Sequence, residues 1–97
     1  MFGIECVIDD VARHLNLDAL LVRRRNFYGV GERDITPYGQ KVEDNIIVEL
    51  VDSLVETSDY DARVAEIKTF NAENEILKRG IALTPVKFGI SFTATHL

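Results

Sequence analysis

The sequence predicts an α+β chain in which three or four helices pack with one C-terminal β-strand. Three observations carry that expectation. Apolar residues recur at helical spacing over residues 4–15 and 45–55, and more sparsely to about Leu77. Lys78-Arg79-Gly80 then supplies two cations and a glycine, an ordinary helix stop. Beyond it the apolar residues alternate instead, at Val86, Phe88, Ile90 and Phe92, the period of a half-buried strand. The expected division is helical over 1–79 and strand over 80–97, within one unit.

Ile4, Val7, Ile8, Val11, Ala12 and Leu15 form the stripe of the first helix, with Asp9, Asp10, Arg13 and His14 opposite. Cys6 falls on the apolar side, which predicts a buried, inert thiol. Asp18 is the expected N-cap of a shorter helix running to about Asn26. Leu21 occupies the position where an acid would complete a capping box, so one reciprocal hydrogen bond is lost. Arg23-Arg24-Arg25 lies near that helix's C-terminus, where cations suit the macrodipole and can pair with the many carboxylates.

Gly29, Gly31, Pro37 and Gly39 mark residues 28–41 as a loop. They are no dinucleotide fingerprint, since no strand precedes them and no third glycine follows at the right spacing. Pro37-Tyr38-Gly39 reads as a turn holding an aromatic against the helices. Asp44 or Asn45 is placed to cap the next helix. Thr57 or Ser58 opens a long one carrying Tyr60, Val64, Ile67 and Phe70. In the strand the inward phase is odd at Ile81 and Leu83 but even from Val86, with Thr84-Pro85 at the change. No second strand is evident, so its backbone partners are expected outside the chain, and self-association through its edge is predicted.

Composition narrows the function classes. A net charge of −5 argues against a nucleic-acid partner, because phosphate contacts need a basic surface. No apolar run approaches the ~20 residues of a membrane span, and no basic-then-apolar leader opens the chain. A cytoplasmic protein with no membrane partner is expected. One cysteine allows neither an intrachain disulfide nor an iron–sulfur cluster on four protein thiolates. His14 and His96 show no metal-ligand spacing, so no protein-held metal is expected.

The run Phe88-Gly89-Ile90-Ser91-Phe92-Thr93 resembles the substrate-pocket segment of the molybdopterin-binding subunit of xanthine dehydrogenases. Val22-Arg23-Arg24-Arg25-Asn26-Phe27-Tyr28-Gly29, Thr36-Pro37-Tyr38-Gly39-Gln40-Lys41-Val42-Glu43-Asp44-Asn45, Phe70-Asn71 and Lys78-Arg79-Gly80 are similar to the same subunit, in the same order and spacing. The resemblance implies a partial piece of the molybdopterin-binding domain of the xanthine dehydrogenase/aldehyde oxidase fold, spanning 1–97. It implies a parent enzyme that hydroxylates hypoxanthine or xanthine at a molybdenum–pterin centre, with iron–sulfur clusters, FAD and NAD elsewhere in the complex.

On the same resemblance Phe92 matches a phenylalanine that meets the flat purine edge-on, Thr93 a hydroxyl that bonds its periphery, and Leu97 an apolar channel wall. Those residue types suit such a pocket, because an aromatic edge complements a π face and one placed hydroxyl orients a ligand in an apolar slot. The family's catalytic glutamate and the glycine-rich loop with the other phenylalanine have no match here. No catalytic or pterin-binding residue is therefore assigned, no cofactor is expected in the isolated piece, and the piece alone should be inactive. Its partners would be the rest of the molybdenum subunit and the iron–sulfur/FAD subunit. The alternatives are an aldehyde-oxidase-type fragment and a helical interaction module without redox chemistry.

Overall fold

A computed structural model describes residues 1–88. It contains four helices: α1 (Phe2–Leu15), α2 (Ala19–Arg25), α3 (Ile47–Thr57) and α4 (Tyr60–Glu73). α1 packs on α2 and α3 on α4. Leu20, Val51, Tyr60 and Leu83 form the core between the pairs, with Phe27, Ile47, Val55 and Val64 packed around them.

Each helix ends for a local reason. Asn16 adopts the left-handed conformation (φ 53°) after α1. Its N–H donates to the Arg13 carbonyl and that of Leu17 to the Ala12 carbonyl, so two otherwise orphaned carbonyls are satisfied. At α2 the Asp18 carboxylate accepts from the N–H groups of Leu20 (2.8 Å) and Leu21 (3.3 Å). Asn45 accepts from Ile47 N–H (3.2 Å) while its amide donates to the Tyr28 carbonyl (2.8 Å), which ties the start of α3 to the loop. Asp59, also left-handed (φ 51°), turns the chain from α3 into α4.

The loop closes on itself. Thr36-Pro37-Tyr38-Gly39 makes a turn with Gly39 N–H on the Thr36 carbonyl (2.9 Å), flanked by an isolated antiparallel bridge between Ile35 and Lys41. Tyr38 stands out in solvent and does not pack on the helices as expected. Gly29 is needed for space, since a Cβ there would sit 2.3 Å from the Glu32 carbonyl oxygen.

Four further expectations are overturned. The α+β class fails: the described residues are helical, and 81–88 form no strand. An alternating pattern yields a strand only where a neighbouring backbone completes a ladder, and among the described residues none lies alongside. Residues 81–88 instead attach by side chains. The phase change at Thr84-Pro85 is absent as well. Leu83 is buried and Pro85 half-buried, while Val86 and Phe88 face outward. The edge that was to drive self-association is thus missing among the described residues.

The last helix starts at Tyr60 and stops at Glu73, short of Leu77, because side chains take over its carbonyls. Asn74 donates to the Phe70 carbonyl (2.8 Å), and Lys78 Nζ reaches back to the carbonyls of Asn71 and Asn74. Finally, Cys6 is exposed, because α1 turns only part of its stripe inward. Ile8 and Ala12 face α2, while Ile4, Val7, Val11 and Leu15 are exposed. No helix among the described residues is long and apolar enough to cross a membrane.

Candidate functional site

Phe92, Thr93 and Leu97, the residues expected to touch substrate, lie outside the described residues. What the structure gives is the approach to them, residues 81–88, and the cleft this segment closes. Leu83 is fixed in the core against Leu20, Val51 and Tyr60. Four residues on, Lys87 donates from Nζ to the Asn26 carbonyl (3.1 Å) and lies 4.6 Å from the centre of the Tyr28 ring. One apolar contact and one cation therefore hold the segment where α2 meets the loop.

Behind it lies a cleft of about 120 Å³ whose walls include Ile4, Ile8, Phe27, Ile47 and Pro85. Arg23 and Glu5 form its polar side. Arg23 is only 5% exposed. Its Nε donates to Glu5 Oε2 at 2.8 Å, and its Nη2 lies 2.6 Å from that oxygen and 3.0 Å from Asp9 Oδ1. Glu5 and Asp9 are one helical turn apart on α1, so one guanidinium grips two successive turns. Arg24 turns the other way and pairs with Asp52 of α3 at 2.7 Å. Arg23 and Arg24 thus act as structural ties, in line with the pairing that the sequence leads one to expect. That Arg23 is the buried member was not anticipated, although the four-residue spacing of Glu5 and Asp9 was a usable signal.

Tyr60 stands near this cluster. Burial holds its phenol above the usual 10.0, the charges of Asp18 and Asp61 push the same way, and Arg23 opposes them. No group of three or more His, Cys, Asp or Glu side chains converges among the described residues. The cleft can take a small apolar group, but its polar side is occupied by the Arg23 and Glu5 pair.

The chain is similar along its whole length to a nicotinate hydroxylase and to several xanthine dehydrogenases. It is 48% identical over 99 residues to the nicotinate hydroxylase of Emericella nidulans. It is 45% identical over 97 residues to the xanthine dehydrogenase of Drosophila pseudoobscura pseudoobscura. The xanthine dehydrogenase of Emericella nidulans is 36% identical over 97 residues. In each case 100% of this chain is covered, and it spans about 7% of the relative's length. No family model matches. No solved structure matches either.

Proposed function

We infer the function from one premise: the chain belongs to the xanthine dehydrogenase family, corresponding to an internal segment of such proteins. We propose that it is part of a cytoplasmic oxidoreductase that hydroxylates hypoxanthine or xanthine, and that residues 1–97 are one piece of its molybdopterin-binding domain. In this reading Phe92 and Thr93 line the ring pocket and Leu97 its entrance. The molybdenum–pterin group would supply the hydroxylation chemistry, with iron–sulfur clusters and FAD passing electrons to NAD. Among the described residues no group of three or more His, Cys, Asp or Glu side chains is placed to hold a metal ion. The role of the described residues would be to hold the chain leading to Phe92.

The observation that carries the proposal is 45% identity, over the whole of this chain, to a segment of a protein named xanthine dehydrogenase. The anchoring of Leu83 and Lys87 supports it, because a wall that positions a flat ligand must itself be held. The test uses the full-length parent enzyme with Phe92→Ala and Thr93→Ala. Xanthine turnover is expected to fall by about 100-fold for Phe92→Ala and less for Thr93→Ala, at unchanged molybdenum content. Unchanged kinetics would reduce the segment to scaffold.

A second reading rests on a different observation. Of two proteins from one organism, the nicotinate hydroxylase is the more similar, at 48% against 36% for the xanthine dehydrogenase. That favours a pyridine carboxylate as the ring substrate. Turnover of nicotinate but not hypoxanthine by the same parent enzyme would select it.

A further inference from the structure

We propose that the outer face of α1 is a docking seam for a helix of the same parent polypeptide lying outside residues 1–97. The existence of that polypeptide rests on the family reading above. α1 is clamped to α2 along one edge, where Glu5 and Asp9 hold Arg23 and Ala12 is buried. The adjoining edge carries Val7, Val11 and Leu15, which are 54%, 40% and 57% exposed. Spaced four apart, they make one continuous ridge on the helix surface. Asp10 and His14 make the next ridge, and those five residues line the open groove between the two. A groove bounded by two such rows is what the side-chain ridge of a second helix fills.

The surface chemistry selects this occupant over two others. A lipid surface calls for Lys and Arg along the polar flank, whereas here the flank mixes Asp10, Arg13 and His14 in a chain of net charge −5. A second copy would cover one face by two-fold pairing. Apolar exposure is not confined to α1, however: Leu50 and Leu54 of α3 are exposed, as are Ile76 and Leu77 beyond α4. A polypeptide of which this chain spans about 7% has the surface to cover all three. The Arg23 clamp fixes the seam's direction beforehand, so little ordering is lost when it is filled.

Thiol labelling separates these occupants. Val7→Cys is placed in the full-length parent and in the isolated 1–97 chain, both carrying Cys6→Ser. The alkylation rate is read by mass spectrometry at the peptide containing position 7. The expected result is labelling about 100-fold slower in the folded parent than in the isolated chain. Equal rates would overturn the proposal. So would protection in the isolated chain that rises with protein concentration to the parent's level, which assigns the face to a second copy. Turnover of xanthine and nicotinate on the same parent separates the two ideas. Protection without turnover keeps the seam and removes the functional reading, and turnover without protection does the reverse.

Discussion

At the scale of single residues, Arg23 shows how burial decides which partner of an ion pair matters. Arg23 is 5% exposed, while the Glu5 and Asp9 side chains keep 27% and 48% of their surface in water. Arg23→Met is expected to destabilise the chain by about 1–3 kcal/mol, since the abandoned carboxylates can hydrate. The double change Glu5→Gln, Asp9→Asn strands the buried cation and should cost about 3–5 kcal/mol. Urea midpoints of the two variants check the order, and a reversed order would mean the guanidinium is not the desolvated member. Tyr60 makes a prediction about alkali. Its folded pKa is raised, so below the unfolded value near 10.0 both states hold the proton and nothing depends on pH. Above it the unfolded chain ionises first, and this contribution to stability is lost as pH rises through the folded pKa. Melting temperatures between about pH 8 and about pH 11 should therefore fall more steeply for wild type than for Tyr60→Phe. Asp18→Asn, which keeps the cap acceptor but removes a charge that raises the phenol, should lie between them. Little of this was legible in the sequence. Three adjacent arginines announce ion pairs, but the one that faces inward depends on how α2 is rotated against α1, which no local pattern records.

At the scale of elements, the helices were readable, apart from the bounds of α4, because each needs only its own backbone. The Asp18 cap and the Asn45 start could be read from single side chains that satisfy orphaned N–H groups. Asp18→Ala should accordingly cost about 1 kcal/mol in denaturant titration, with Asp18→Asn nearly neutral at pH 7. Residues 81–88 were misread because a strand is a property of two backbones, and alternation in one says nothing about the other. Their attachment is instead a matter of Leu83 and Lys87. Leu83→Ala is expected to cost about 2–4 kcal/mol in the same titration. A cost near zero would show that the segment is not docked. The candidate pocket residues were legible only through resemblance, as a phenylalanine and a threonine in sequence carry no sign of what they will face.

At the scale of the whole molecule, the core is small and much apolar surface stays in water, from Phe2 at 84% to Ile76 at 92%. The isolated chain should bind a hydrophobic dye strongly while keeping its helical circular dichroism. Dye fluorescence no greater than that of a closed domain of equal size would contradict this. The sequence showed that α1 was amphipathic, but not that four of the six residues of its apolar stripe would stay exposed. That depends on the width of the stripe against a helix as short as α2. The arrangement also predicts an order in time. α1 with α2, and α3 with α4, are neighbours along the chain, and such local contacts close quickly. Leu83 must meet Leu20 from nearly the opposite end of the sequence, a closure expected to come after both helix pairs have formed. In stopped-flow measurements Leu83→Ala should therefore speed unfolding and leave refolding almost unchanged. The contact made last is the first to be lost.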